Sequence, residues 1–124
     1  MTDIKDDFAD KRAHPRAVAT IEIEFKKVID FVTSYLLNVS NGGLFVKTDD
    51  IYPLDSIVFL RFTMPGDTQP IEVEGKVVWR NMGGREYFPK GMGIKFLKLN
   101  DADNVKIKKF VTEHFALIKS HSVL

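Results

Sequence analysis

The sequence contains no cysteine, so it offers neither a disulfide framework nor a thiolate metal site. It also lacks an excess of charge of either sign, because 18 Lys and Arg residues are balanced by 17 Asp and Glu residues. A net charge of +1 does not supply the broad positive field that non-specific binding to nucleic acid or to an acidic membrane requires. An anionic ligand would have to be bound by local contacts.

Long apolar runs are missing too, and none approaches the length of a membrane span. The residues from Met1 to Asp7 are mostly polar and acidic, where a signal peptide would be basic and then apolar. These two absences predict a soluble cytoplasmic protein without a membrane span.

The 124 residues, 44% of them hydrophobic, hold enough apolar mass for a single core and no more. Residues 1–16 are rich in charge, show no apolar periodicity and contain His14-Pro15, a pair that disfavours helix. We therefore expect a flexible N-terminal arm over residues 1–16, a β-barrel over 17–99 and a C-terminal helix over 100–119. One domain would span residues 11–119.

Apolar and polar residues alternate after residue 17, as Ile21, Ile23 and Phe25 do around Glu22 and Glu24. A period of two is typical of a half-buried strand. Further strand-like runs at 31–39, 44–46, 57–62, 71–79 and 92–97 are separated by segments rich in turn-forming residues. The pattern predicts an all-β fold, a small antiparallel six-stranded β-barrel.

The last segment changes to helical spacing and predicts an amphipathic helix that covers one end of the barrel. Asn100 or Asp101 can cap its N-terminus, and Asp101 and Asp103 suit the positive end of the helix dipole. Its apolar positions are Val105, Ile107, Phe110, Val111, Phe115 and Ile118.

Two short motifs carry the functional signal. The first is Arg12-Ala13-His14-Pro15-Arg16, and the second is Asn38-Val39-Ser40-Asn41-Gly42-Gly43. In this order and spacing they resemble the RxxxR and (D/N)xSxxG signature of the PilZ family, whose barrels bind cyclic di-GMP. The resemblance runs from Arg12 to about Phe115.

The resemblance implies a cyclic di-GMP site at Arg12, Arg16, Asn38, Ser40 and Gly43, with Lys11, Gly42, Trp79 and Gly93 in support. The residue types suit the ligand, because the planar donor fork of arginine matches phosphate oxygens and the guanine O6 and N7 edge. Many family members have Asp where this chain has Asn38. An amide cannot accept two guanine N–H bonds as a carboxylate can, so affinity or base pose is expected to differ.

The function implied is that of a sensor, not an enzyme: cyclic di-GMP binds, the conformation changes, and a downstream protein partner responds. We expect no cofactor, no nucleic-acid partner, and a monomer or a ligand-dependent dimer. No metal site is expected, because His14, His114 and His121 lack metal-ligand spacing with carboxylates. Two alternatives stay open, a PilZ-like adaptor that works by constitutive protein contacts and a small nucleic-acid-binding barrel. Trp79 also has a plain structural interpretation, as a residue of the barrel wall.

Overall fold

The computed structural model describes residues 15–37, 42–84 and 89–122. Within these ranges the chain forms five strands and two helices. In chain order they are β1 (Thr20–Glu24), α1 (Val28–Leu37), β2 (Gly43–Lys47), β3 (Ile57–Thr63), β4 (Ile71–Asn81), β5 (Gly91–Phe96) and α2 (Asp101–Ser122). Of the predicted arm, only Pro15 and Arg16 belong to the described residues.

The five strands form one curled sheet, a half-barrel, in the order β1-β3-β4-β5-β2. Strand β1 runs parallel to β3, and the other neighbouring pairs are antiparallel. Alternate residues of β3, namely Val58, Leu60 and Phe62, are fully buried on the inner side of the sheet. A mostly β fold with a C-terminal helix is thus confirmed, whereas the prediction of an entirely antiparallel sheet is wrong.

The prediction of a strand over 31–39 is also wrong, because α1 occupies most of this run. The segment is rich in β-branched residues, which favours strand. However, Val28, Phe31, Val32 and Tyr35 also recur at i, i+3, i+4 and i+7, the spacing of one helix face. As a helix, the segment buries Phe31 completely, and its ring packs edge-on against Phe25 at a centroid distance of 5.2 Å.

Helix α1 takes the place of the missing strand beside β2. The Ser34 hydroxyl, itself buried, donates a 2.6 Å hydrogen bond to the main-chain carbonyl of Phe45 in β2. An edge carbonyl of the sheet is therefore satisfied by a helical side chain and not by a sixth strand.

Helix α2 begins as the sequence predicts. The Asn100 side-chain oxygen accepts the main-chain N–H of Asp103 at 2.8 Å, which identifies Asn100 as the cap. Ile107 and Val111 enter the core, but Val105 and Phe115 are 64% and 46% exposed and do not belong to the buried face. Among the described residues, no helix is long and apolar enough to cross a membrane.

Candidate functional site

The structure describes five of the nine predicted site positions. Arg16, Gly42, Gly43, Trp79 and Gly93 lie within the described ranges, whereas Lys11, Arg12, Asn38 and Ser40 lie outside them.

Four of these positions, Arg16, Gly43, Trp79 and Gly93, lie on the side of the sheet that faces away from the core, which we call the outer face. Gly75 shows which residues of β4 point toward the core. A Cβ added to Gly75 would lie 2.3 Å from Cγ2 of buried Ile94, so position 75 faces inward. The next residue, Lys76, points outward, because side chains alternate along a strand. Lys76 is paired with Lys95, and Lys95 with Gly43, so these three residues form one row across β4, β5 and β2.

Arg16 is brought to the outer face by main-chain and side-chain contacts. Its neighbour Ala17 is buried, and the main-chain N–H of Val18 donates to the carbonyl of Ile57 at 2.8 Å. The Arg16 guanidinium forms a 2.7 Å ion pair with Glu74, which precedes Lys76 by two residues on the same face of β4. The Arg16 side chain is 67% exposed, so its remaining N–H groups are accessible to a ligand.

Trp79 and Gly93 meet directly on the outer face. They are paired across β4 and β5, just after a bulge between Val77 and Trp79. An added Cβ on Gly93 would lie 2.0 Å from the indole Nε1, so the indole lies against the bare backbone of β5. The Trp79 ring also stacks on Phe45 of β2, with centroids 5.2 Å apart.

Gly42 and Gly43 connect the second motif to the sheet. The carbonyl of Gly42 accepts the main-chain N–H of Phe96 at 2.7 Å, so the β2–β5 ladder already begins at this residue. Gly43 is buried. A ligand that approached the row of Lys76, Lys95 and Gly43 would therefore contact the two lysine side chains before it reached the glycine.

Three residues of the outer face, Glu74, Lys76 and Lys95, were not among the predicted site positions. The alternation in Ile71-Glu72-Val73-Glu74-Gly75-Lys76 indicates that Glu74 and Lys76 avoid the core. Lys95 alternates with Ile94 and Phe96 in the same way. Which residues they adjoin depends on strand register, and the bulge in β4 shifts that register.

A separate groove of about 470 Å³ lies between the two edge strands, β1 and β2. Its walls are mainly apolar, with Ile23, Phe25 and Val46 among them, and the Ser34 hydroxyl is already engaged by Phe45. It lacks the convergent charged groups that an anionic ligand requires. In the described part of the chain, no three His, Asp or Glu side chains cluster as metal ligands would.

Residues 10–113 match the family model of the PilZ domain. The chain therefore belongs to the PilZ family, a family of cyclic di-GMP-binding domains. The resemblance inferred from the two motifs is confirmed. A search among curated proteins found no significant match.

Proposed function

We propose that this PilZ domain is a cyclic di-GMP sensor whose binding residues are Arg12, Arg16, Asn38, Ser40 and Gly43. Lys11, Gly42, Trp79 and Gly93 would support the site. The observation that carries the proposal is the convergence of Arg16, Gly43 and the Trp79–Gly93 pair on the outer face, although they come from separate parts of the chain.

The ion pair between Arg16 and Glu74 does not oppose ligand binding strongly. An exposed pair of this kind contributes up to about 1 kcal/mol to stability. A charge-assisted contact to a partly desolvated ligand group contributes roughly 2–5 kcal/mol when measured by truncation. We therefore expect a ligand phosphate to compete with Glu74 for the Arg16 guanidinium.

The proposed mechanism is binding followed by a change of conformation. Cyclic di-GMP carries two phosphates and two guanines, and two arginines can contact both kinds of group. Their engagement would alter the surface around the outer face, and a downstream protein would recognise the liganded form. In this proposal the protein acts in the cytoplasm as a monomer or a ligand-dependent dimer, and catalyses no reaction.

Isothermal titration calorimetry tests the site. A micromolar complex corresponds to about 8 kcal/mol, so the loss of two contacts worth roughly 2–5 kcal/mol each should bring the Arg12→Ala/Arg16→Ala double variant close to no measurable binding. Arg80→Ala is the matched control, because Arg80 is exposed and paired with core residue Met92, which places it on the opposite side of the sheet.

Normal titration of the double variant would refute the site. No binding by the wild-type protein would favour the adaptor, and binding of single-stranded RNA in its place would favour the nucleic-acid alternative.

A further inference from the structure

Two lysines face each other on the outer face. Lys76 of β4 and Lys95 of β5 are direct register partners in an antiparallel pair. Like charges at such positions lie close together and destabilise a sheet. The arrangement is therefore unfavourable for the protein alone.

The neighbouring residues offset this repulsion only in part. The Lys76 ammonium lies 3.8 Å from a carboxylate oxygen of Asp55, whose side chain is 82% exposed. Lys95 is exposed, and it forms no ion pair with any residue that the structure describes. A chain with a net charge of only +1 thus places two lysines at directly paired positions. Among the described residues, the weak contact of Lys76 with Asp55 is the one ion pair that either lysine forms.

The position of the lysine pair indicates what could neutralise it. The row continues from Lys95 to Gly43. On the other side, Glu74 precedes Lys76 by two residues and forms the ion pair with Arg16. Since Gly43 is buried, the ammonium groups are the parts of this row that a ligand can reach. They lie between two of the residues proposed to bind cyclic di-GMP.

We propose that Lys76 and Lys95 together bind one phosphate of cyclic di-GMP, an inference that rests on the proposed function. Ammonium groups bind phosphate oxygens as mobile point charges. A phosphate between the two lysines converts their mutual repulsion into two attractive contacts. The pair stabilises the liganded form at the expense of the free form, as polar groups at functional sites often do.

The test uses Lys76→Gln, Lys95→Gln and the corresponding Lys→Arg variants in the full chain. Each Gln variant should weaken cyclic di-GMP binding about tenfold, and its affinity should depend less on salt than that of the wild type. The Arg variants keep the charge and should retain most of the affinity. The melting temperature of the ligand-free Gln variants should be unchanged or higher, because a like-charge pair has been removed.

Lys109→Gln is the control for a general loss of positive charge, because Lys109 is exposed on α2, outside the sheet. It should bind as the wild type does. If the wild type and the Arg variants bind while both Gln variants also titrate normally, this inference is wrong and the proposed function stands. A weaker affinity accompanied by a lower melting temperature would mean a structural role and would equally overturn it. Failure of the wild type to bind would overturn both.

Discussion

Two glycines of β5 determine where the aromatic side chains of the outer face can lie. An added Cβ on Gly91 would lie 2.1 Å from the carbonyl oxygen of Val46 and 2.7 Å from the Phe45 ring, and one on Gly93 would collide with Trp79. The two rings stack on each other above these glycines. Both Trp79 and Gly93 were predicted as supporting positions, and the structure explains their association by direct steric contact.

Gly93→Ala should therefore destabilise the fold by about 1–3 kcal/mol, the usual range for overpacking. The backbone of Gly93 has no positive φ, so the effect is steric. Urea unfolding followed by circular dichroism would measure it. Gly42→Ala is the control, since an added Cβ there has no atom within 4 Å, and its stability should change by less than about 0.5 kcal/mol. Equal stability of both variants would contradict the packing of Trp79 on Gly93.

At the scale of elements, the sequence identified most of the sheet and failed at α1. Strands β4 and β5 show alternation, and β3 is a continuous apolar run over residues 57–60. Turn residues lie near the ends of these strands, so local pattern was sufficient. Residues 28–37 fit both a strand and a helix. The choice is made by contacts distant in sequence, namely the packing of Phe31 on Phe62 and Phe110 and the bond from Ser34 to Phe45, which no local pattern contains.

The ionisation of Tyr35 on α1 reports on how this helix packs. Burial raises the pKa of the Tyr35 phenol above its usual range, and its ring stacks on Phe31 at 6.5 Å. Because the folded state holds this proton more tightly than the unfolded state, the resulting stability is fully present below about pH 10. It is lost as pH rises from there through the raised pKa.

The free energy of unfolding should thus fall more steeply above about pH 10 in the wild type than in Tyr35→Phe. Denaturant unfolding at a series of alkaline pH values would show the difference. The burial of the Tyr35 phenol in the packing of α1 would be contradicted if Tyr35→Phe and the wild type lost stability in parallel.

Across the whole molecule, the sheet separates the core from the proposed site. The inner side packs against Phe31 of α1 and Ile107 of α2, while the outer face carries Arg16, Lys76 and Lys95. The two motifs were visible in the sequence because their residues are contiguous. Glu74, Lys76 and Lys95 could not be assigned to the site, because their proximity depends on how β4, β5 and β2 are aligned.

This separation predicts that stability and ligand response can be changed independently. Ile107 is 1% exposed, and Ile107→Val should remove about 1 kcal/mol, which lowers the melting temperature by on the order of 4 °C. Cyclic di-GMP at about 100 times its Kd should add roughly 2.7 kcal/mol to any variant that binds normally. Because this gain exceeds the loss, liganded Ile107→Val should melt above the ligand-free wild type.

Arg16→Ala should behave in the opposite way. Its ion pair with Glu74 is exposed and worth little, so its ligand-free melting temperature should stay close to that of the wild type. The increase on adding cyclic di-GMP should largely disappear, because the contact to the ligand has been removed. Differential scanning fluorimetry of Ile107→Val and Arg16→Ala, each with and without ligand, measures the four melting temperatures. A full ligand response in Arg16→Ala would exclude Arg16 from the binding site. A lost response in Ile107→Val would contradict the independence of core stability and ligand binding.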